Sequence, residues 1–501
     1  MNLTTLLEMM AEGMPDRVLL GDRARGLTPA ELRRRAQAGA RLARDLDADT
    51  VVHIGENGVV FPVALFAAAY AGIPFLPVNY RLSAEQLDDV LGRRAAPLII
   101  ADDPALAGGR AALSSEEFLQ RVSADGAALL DEPDTDPDAV AVLLMTSGTT
   151  AAPKSAVLRH RHLSSYVIGS VEFMDAAETD ATIVSVPPYH IAAVANLLSN
   201  LYAGRRIVYL DHFTADGWLR EVEDQGVSHA MVVPTMLVRI VDELSASDRP
   251  APASLRALSY GGAKIAQPVL TEALRLFPRT GFVNAYGLTE TASTIALLGP
   301  EDHRTAVAST DPAIRARLGS VGRALPNVEI EIHDEDGAVC AAGVVGSIVV
   351  RGPQVAGEYV EAGSAVDADG WFPTRDLGYL DEDGYLFVQG RSDDTIIRGG
   401  ENIAPSEIEA VLDEHPDVAV SAVAGIPDEE WGQRIAAFVV PAPGRAADAD
   451  ALRQYVRSRL RGSKTPDEVL FVESLPVSAT GKLLRRSLVA LVTERHAPQT
   501  R

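Results

Sequence analysis

The sequence predicts an α/β protein with a smaller α+β region at its carboxyl-terminal end, and three observations support this prediction. Over roughly the first 390 residues, helix-length segments alternate with short apolar runs. From about Ser320, runs of alternating polar and apolar residues are joined by Asp-Gly and Gly-rich turns. After Arg391 a pattern of helices and strands starts again. We therefore expect layered α/β sheets, a small β-barrel-like subdomain and an α+β domain.

The first region is predicted to hold largely parallel strands buried between helices. Thr28 followed by Pro29 is typical of a helix start. A strongly apolar helix is expected to end at Gly72, with PFLPV as the strand that follows. Strands that are apolar on both faces are typical of parallel sheets. Later short strands are expected at VAVLLMT, TIVSVP, RIVYL, HAMVVP and ALSYGG.

The later regions have a different texture. VEIEIHD and SIVVRG alternate as antiparallel strands do, and Asp383-Gly384 is typical of a hairpin turn. Further on, SEIEAVLDEH is predicted to be a helix capped by Ser406. VAVSAVAGI and RIAAFVVP are the expected strands of the last domain.

The composition restricts the classes of function. Lys and Arg number 45 against 69 Asp and Glu, a formal net charge of −24, so nucleic acid and anionic membranes are not expected partners. The single cysteine, Cys340, excludes an intramolecular disulfide and fits a reducing cytoplasm. Prolines interrupt the longest apolar run, so no membrane span is expected.

The segment AVAVLLMTSGTTAAPKSAVLRH has the composition of a phosphate-binding loop. Residues 148–155 nearly fit the phosphate loop of NTPases, but Pro153 replaces its second glycine and has no N–H group. A Ser/Thr-rich surface loop is the plain alternative. Hydroxyls, backbone N–H groups and a lysine are the donors that phosphates require, and here they come from Thr146, Ser147, Gly148, Thr149, Thr150 and Lys154.

Further segments contain residues of chemical interest. In NAYGLTETAS, residues 284–293, an aromatic face suits a purine, and a carboxylate beside phosphates needs a metal. The plain alternative is a helix start capped by Thr289. Taken alone, the acids and glycines of residues 371–409 are typical of hairpins, Lys482 of a surface lysine, and His190 of a core histidine.

In this order, the segments resemble the motifs of the adenylate-forming superfamily, which comprises acyl-CoA synthetases, luciferases and peptide-synthetase adenylation domains. TSGTT-x-x-PK resembles its phosphate loop, and the resemblance extends from about residue 20 to residue 490. It implies an amino-terminal ATP- and acyl-binding domain over residues 1–390, a hinge over 391–393 and a small mobile catalytic domain over 394–501.

The resemblance also implies roles on the nucleotide side. Tyr286 is expected to stack on adenine, Thr289 to contact the α-phosphate, and Glu290 to hold Mg²⁺ together with Thr149. Lys154 is expected to offset charge during catalysis. The residues expected to bind ATP or coenzyme A are Thr146, Ser147, Gly148, Thr149, Thr150, Gly261, Gly262, Ala263, Asn284, Ala285, Tyr286, Gly287, Asp376, Val388, Arg391, Gly399 and Gly400.

For the rest of the reaction, Lys482 resembles the carboxyl-terminal catalytic lysine, and Asp393 the hinge about which the small domain turns. Gly399 and Gly400 resemble the loop that enters the site for thioester formation, where glycine lets the backbone approach closely. PPYH resembles the family's P-x-x-H, which puts His190 beside the acyl pocket. Its expected walls also include Tyr189, Ile191, Met236 and Tyr260, while Lys264 is expected to face solvent.

The resemblance implies an acyl-CoA synthetase that uses ATP, Mg²⁺ and coenzyme A to make an acyl-adenylate and then a thioester. Three positions depart from the family pattern: Ala151 and Ser155 stand where relatives have glycine, and Ser347 where they have glutamate. Both changes near the loop could stiffen it or alter its path. None removes a catalytic group, so we expect activity.

Several alternatives remain. An acyl-AMP ligase that loads a carrier-protein thiol is the main one, although the insertion that some carry before the hinge is missing. An amino-acid adenylation enzyme is disfavoured because Thr214, not aspartate, follows Phe213. An adenylate-dependent monooxygenase and a non-catalytic nucleotide-binding protein are less favoured. Neither the carboxylic acid nor the oligomeric state follows from the sequence.

Overall fold

The computed structural model describes residues 1–130, 136–146, 154–210, 212–247, 249–398, 401–428, 431–460, 462–478 and 483–496. Its α-helices are α1 (Leu3–Gly13), α2 (Pro29–Asp45), α3 (Val60–Ala71), α4 (Ala84–Gly92), α5 (Ser115–Ser123), α6 (His160–Ser170), α7 (Ile191–Ala203), α8 (Ala215–Asp224), α9 (Pro234–Ala246), α10 (Gln267–Leu276), α11 (Pro300–Ala308), α12 (Pro312–Ala316), α13 (Pro405–Asp413), α14 (Ala449–Arg459) and α15 (Arg485–His496).

The strands follow the same chain order. They are β1 (Thr50–Ile54), β2 (Phe75–Val78), β3 (Pro97–Ala101), β4 (Ala112–Ser114), β5 (Val140–Thr146), β6 (Lys154–Arg159), β7 (Ala181–Val184), β8 (Arg206–Tyr209), β9 (His229–Val232), β10 (Ala257–Gly261), β11 (Gly281–Leu288), β12 (Ser293–Leu298), β13 (Arg323–Ala324), β14 (Glu329–His333), β15 (Gly346–Arg351), β16 (Glu358–Tyr359), β17 (Gly363–Ser364), β18 (Phe372–Leu380), β19 (Leu386–Arg391), β20 (Ile396–Arg398), β21 (Glu401–Ile403), β22 (Val418–Asp428), β23 (Gly432–Pro441) and β24 (Glu468–Phe471).

The helix signals in the first region act as predicted. Thr28 accepts a hydrogen bond from the Glu31 amide and Glu31 bonds back to the Thr28 amide, a reciprocal cap that starts α2 at Pro29. Helix α3 is buried all round and ends at Gly72, whose φ of 71° is readily adopted by glycine. A helix without a polar face needs neighbours on every side, so α3 lies in the interior.

Two sheets form the large first part of the molecule. One has the strand order β17-β16-β6-β5-β2-β1-β3-β4, the other β13-β12-β11-β10-β9-β7-β8. Their central strands pair in parallel, as β1 does with β2 and β3, and β10 with β9 and β11. Antiparallel pairing occurs at β5–β6 and at β11–β12, the strands next to the predicted phosphate loop and the predicted adenine motif. The predicted α/β layering is confirmed.

The later strands pair antiparallel, as expected, except that β23 and β24 run parallel. Strands β14, β15, β18 and β19 form a four-stranded sheet around a core that includes Ile348 and Phe372. The carboxyl-terminal strands β22, β23 and β24 form another sheet, with α13 and α15 packed on β22. The fold class is confirmed.

One local prediction is wrong. Helix α13 begins at Pro405, its N-cap residue is Ala404, and no side chain caps it. Pro405 fits the first position because proline has no N–H to leave unpaired. The Ser406 hydroxyl donates instead to the Gln389 carbonyl oxygen of β19. Within the described residues, no helix is long and apolar enough to cross a membrane.

Candidate active site

The predicted phosphate loop joins two antiparallel strands. Thr146 at the end of β5 is the register partner of Lys154 at the start of β6, and its hydroxyl donates to the Lys154 carbonyl oxygen at 3.3 Å. In the phosphate loop of NTPases a helix follows the lysine, whereas here a strand does, which disfavours that alternative. Outside the described residues lie Ser147, Gly148, Thr149, Thr150, Ala151 and Pro153.

Lys154 and Glu290 meet at Tyr359, a residue that the sequence did not indicate. The Tyr359 hydroxyl donates to Glu290 Oε1 at 2.7 Å, and Lys154 Nζ lies 5.5 Å from the centre of the Tyr359 ring. Burial raises the pKa of the Tyr359 hydroxyl and the Glu290 charge raises it further, so the hydroxyl stays a donor. Strand β16 thus connects the phosphate-loop lysine to the predicted metal ligand.

The backbone fixes Glu290 as well. Thr289 and Glu290 lie in a short 3-10 helix, Thr289–Thr291, directly after β11. The Glu290 carbonyl oxygen accepts the amides of Ala356 at 2.8 Å and Gly357 at 3.0 Å. These two backbone hydrogen bonds fix the position of Glu290, which suits a carboxylate predicted to bind a metal ion.

Tyr286, Asp376 and Arg391 form a second cluster. The Tyr286 hydroxyl donates to Asp376 Oδ2 at 2.6 Å, and Arg391 Nε lies 3.6 Å from Asp376 Oδ1. Asp376 and Arg391 are register partners on β18 and β19. Burial raises the pKa of Tyr286 well above its ordinary value, and the Asp376 charge adds to this. The tyrosine ring is held in place beside the acid predicted to bind ribose.

Glycines between these clusters let the backbone come close. A Cβ on Gly261 would lie 2.2 Å from the Ala285 carbonyl oxygen, and one on Gly287 only 1.8 Å from that of Ser293. Gly262 has φ +85°, which favours glycine. Gly261 therefore ends β10 beside Ala285 of β11. Ala263 follows two residues later in the chain. Asn284 donates to the Ser320 carbonyl oxygen at 3.1 Å, and Val388 packs on the core of the four-stranded sheet.

A different kind of surface surrounds His190, the residue that precedes α7. Its ring centre lies 4.6 Å from that of Tyr189, and the Tyr189 ring lies 6.0 Å from Tyr80. His190 Nε2 and the Tyr189 hydroxyl are buried, and neither has a hydrogen-bond partner among the described residues. Burial lowers the pKa of His190 to about 4, so the ring is neutral near pH 7.

Residues of helix α7 extend the surface around His190. Ala192 and Met236 pack together in one small apolar cluster, and Ile191 packs against the main core. Asn196 lies one turn after Ala192 on the same face of α7. Its Oδ1 atom is buried, with no hydrogen-bond partner in the described part of the chain. An amide in this mostly apolar helix was visible in the sequence and could have been picked out.

Tyr260 does not join this surface. Its side chain is 1% exposed within the core of the seven-stranded sheet. Its hydroxyl pairs with His303 Nε2 at 2.9 Å. The large side chain therefore fills the interior below β10, while Lys264, a few residues on, is exposed as expected.

The hinge and the carboxyl-terminal motifs are described only in part. Asp393 is exposed in a short 3-10 helix, Ser392–Asp394, between β19 and β20. The Ser392 hydroxyl donates to the Arg375 carbonyl oxygen at 3.1 Å. Gly399, Gly400 and Lys482 lie outside the described residues.

Ser155, one of the departures from the family pattern, has a structural partner. Its amide and its hydroxyl both donate to the Glu361 carboxylate, at 2.8 and 3.1 Å, and Arg93 lies 3.2 Å from the same carboxylate. The buried serine thus ties the start of β6 to the chain after β16. Ser347 lies in β15, where its register partners are His333 of β14 and Leu377 of β18.

The site suits magnesium only together with phosphates. Among the residues that the structure describes, no group of three or more His, Cys, Asp or Glu could hold a metal ion. Mg²⁺ is commonly bound through one or two carboxylates together with substrate phosphates. One oriented carboxylate, Glu290, opposite the phosphate-loop lysine fits that chemistry.

Comparison with known proteins places the chain in a family. The family model of AMP-binding enzymes matches residues 7–360, and that of the AMP-binding enzyme C-terminal domain matches residues 407–482. The chain belongs to the AMP-binding enzymes. The predicted membership of the adenylate-forming superfamily is thereby confirmed.

Similar proteins carry ligase names. Feruloyl-CoA synthase of an Amycolatopsis species is 36% identical over 474 residues, 92% of each chain. Indoleacetate–CoA ligase of Aromatoleum aromaticum is 32% identical, over 91% of this chain and 92% of that protein. The fatty acid–[acyl-carrier-protein] ligase ScoC of Streptomyces coeruleorubidus is 32% identical, over 88% and 86%.

Solved structures agree. The o-succinylbenzoate CoA synthetase MenE of Bacillus subtilis with ATP and a magnesium ion has a TM-score of 0.80 at 28% identity, covering 96% of this chain and 98% of that one. The same enzyme with its acyl-adenylate intermediate has a TM-score of 0.83 at 29% identity, covering 96% and 97%. The prediction of an ATP-dependent acyl-CoA synthetase is confirmed at the level of the family.

Proposed function

We propose that this acyl-CoA synthetase activates its carboxylic acid in the cleft between the β5–β6 hairpin, the ends of β10 and β11, and β18. The observation that carries the proposal is the pair of oriented carboxylates. Tyr286 holds Asp376 and Tyr359 holds Glu290, each through a short hydrogen bond. One carboxylate suits ribose hydroxyls and the other a metal ion, so together they suit MgATP.

The first half-reaction needs charge and orientation more than proton transfer. A carboxylate oxygen of the acid bonds to the α-phosphorus of ATP, and the bond to the bridging oxygen breaks. Pyrophosphate leaves with that electron pair, and no proton moves. Lys154, Thr289 and Lys482 are our candidates for the groups that offset the growing charge on the phosphates. Mg²⁺, when bound at Glu290, supplies further positive charge to those oxygens.

We propose that the second half-reaction uses a rotation of residues 394–501 about Asp393. This residue is exposed in a short helix between two sheets, a place where few backbone angles need to change. Rotation would withdraw Lys482 and bring Gly399 and Gly400 to the cleft. The thiol sulfur then bonds to the acyl carbon, AMP leaves, and the thiol proton passes to solvent.

The acid is proposed to be bulky and to carry a polar group distant from its carboxylate. Small side chains at Ala192 and Ala193 leave room after His190, and Asn196 presents a buried oxygen that has no partner among the described residues. Two relatives act on aryl-containing acids by name, feruloyl-CoA synthase and indoleacetate–CoA ligase, which supports this class. Coenzyme A is the proposed thiol acceptor. The thiol of a carrier protein is the second candidate, because the relative ScoC is named as a carrier-protein ligase. A cytoplasmic location stays a prediction.

The test is acid-dependent pyrophosphate release from MgATP. Fatty, aryl and polycyclic acids would be compared, each with and without a distal hydroxyl, and products identified by mass spectrometry. Coenzyme A and a phosphopantetheinylated carrier protein would be offered in parallel. The proposal expects AMP and an acyl-CoA from an aryl or polycyclic acid. Thioester on the carrier protein alone would overturn the acceptor, and release of phosphate instead of pyrophosphate would overturn the reaction.

A further inference from the structure

Arg375 adopts a backbone conformation that arginine rarely takes. Its φ is +64°, in the left-handed region where a Cβ crowds the following carbonyl oxygen. Such conformations persist where the surroundings fix them, and they concentrate at functional sites. Here the next residue is Asp376, and the preceding Thr374 is buried with its hydroxyl bonded to the Ile348 carbonyl oxygen at 2.8 Å. Glycine would take this conformation without strain, yet the chain has an arginine.

Arg375 is an exposed residue. Its guanidinium group forms no hydrogen bond or ion pair with any residue in the ranges that the structure describes. Its charge reaches Tyr359, where it works with Arg391 against burial and lowers the pKa of the hydroxyl. Phe372, three residues before Arg375 on β18, packs against Gly357, and the Gly357 amide donates to the Glu290 carbonyl oxygen at 3.0 Å. This part of β18 therefore runs beside the segment that holds Tyr359 and Glu290.

The charges of this part of the cleft leave an excess of cation. Lys154, Arg375 and Arg391 are positive, whereas Glu290 and Asp376 are negative, in a chain whose formal net charge is −24. Asp376 lies beside Arg391, and Glu290 accepts from Tyr359. The positive charge of Arg375 is therefore available to pair with a negatively charged ligand. An exposed guanidinium matches phosphate oxygens well, because its donors form two parallel hydrogen bonds.

We propose that Arg375 binds the β- and γ-phosphates of ATP and the pyrophosphate that leaves. This role rests on the proposed function, since only a nucleotide triphosphate brings these groups to the Glu290 side of the cleft. During the first half-reaction the leaving oxygen gains negative charge as its bond to the α-phosphorus breaks. A guanidinium placed beside that group stabilises the charge, which explains why the strained arginine is tolerated.

The experiment replaces Arg375 by glycine and by lysine and measures binding of MgATP and of AMP by calorimetry. Arg375→Gly is expected to raise the melting temperature because strain is relieved, to weaken MgATP about tenfold, and to leave AMP within about twofold. Arg375→Lys should keep part of the MgATP affinity. Asp47→Gly is the control, because Asp47 also has positive φ, 48°, and is exposed in another part of the molecule.

Unchanged MgATP binding in Arg375→Gly would overturn the proposal, and so would an equal loss for AMP, which has neither the β- nor the γ-phosphate. If Arg375→Gly does not fold, Arg375→Gln gives the same comparison. Calorimetry measures binding without turnover. A failure of the proposed reaction would therefore show separately: the wild-type protein would release no pyrophosphate but would still bind MgATP and AMP with different affinities.

Discussion

The two sides of the cleft differ in how their polar atoms are satisfied. On the nucleotide side, Tyr286 pairs with Asp376 and Tyr359 pairs with Glu290, at 2.6 and 2.7 Å. On the proposed acyl side, which comprises Tyr189, His190, Asn196 and Met236, three of the residues have a buried polar atom without a partner in the described chain. A buried polar group left unpaired costs free energy, which a ligand that pairs with it can recover.

We infer that this difference separates the binding of ATP from the selection of the acid. The nucleotide side is organised before any ligand arrives, so its geometry suits one invariant substrate, ATP. On the proposed acyl side, the buried polar atoms that find no partner among the described residues are available to pair with an acid. Specificity for the acid should therefore respond to changes around α7, whereas changes near β16 and β18 should affect every acid alike.

The largest effect is expected on the nucleotide side. Glu290→Ala should lower acid-dependent pyrophosphate release about 100-fold for all acids, because the charge that holds Mg²⁺ beside the phosphates is lost. Tyr359→Phe should cost only about fivefold, since it removes one orienting hydrogen bond and leaves the carboxylate. Steady-state rates with at least two acids measure both. Equal losses in the two variants, or losses that depend on the acid, would contradict the assignment.

A second prediction concerns the acyl side. Asn196→Leu is nearly equal in size and removes the unpaired amide, so it should favour acids without a distal polar group. We expect the ratio of kcat/KM values for polar-tailed and apolar acids to fall about 10- to 100-fold. The KM for MgATP should stay within about twofold. Ser199→Ala is the matched comparison, because Ser199 is also on α7 and its buried hydroxyl likewise has no partner in the part of the chain that the structure describes. An unchanged ratio would remove Asn196 from the specificity surface.

A smaller effect is expected from pH. Burial lowers the pKa of His190 to about 4 from the ordinary 6.5, so the histidine is neutral in the folded protein above about pH 5. As pH falls from about 6.5 toward 4, the unfolded chain protonates His190 while the folded protein does not. The free energy of unfolding therefore decreases over this range. Adenylation should therefore show no inflection near pH 6.5 from this residue. An inflection there in wild type that disappears in His190→Asn would contradict this.

Much of the fold followed from local chemistry. The Thr28 cap, the Gly72 stop and the paired β-branched runs fix elements by short-range rules, and the structure has them. The resemblance predicted that Tyr286 and Asp376 bind the adenine and the ribose of one nucleotide, and in the structure the two side chains share a hydrogen bond of 2.6 Å. Ser406 was misjudged because Pro405 begins α13 one residue earlier and leaves the hydroxyl free to reach β19.

Other features depend on distant segments and had no local signal. Tyr359 lies about seventy residues from Glu290 and is part of a two-residue strand, so nothing near it in sequence indicates the pairing. Tyr260 was expected in the pocket, but the alternation of β10 turns its side chain toward the core. There its hydroxyl forms a hydrogen bond with His303 of α11. The left-handed conformation of Arg375 likewise appears only in three dimensions.

The central claim is that one cleft serves two half-reactions with different residues, and Lys482→Ala tests it most directly. The variant would be given acid and MgATP in one experiment, and synthetic acyl-adenylate with coenzyme A in another. We predict that pyrophosphate release falls about 100-fold or more, while thioester formation from the adenylate stays within a few-fold of wild type. Equal loss of both half-reactions, or no loss of the first, would contradict the account.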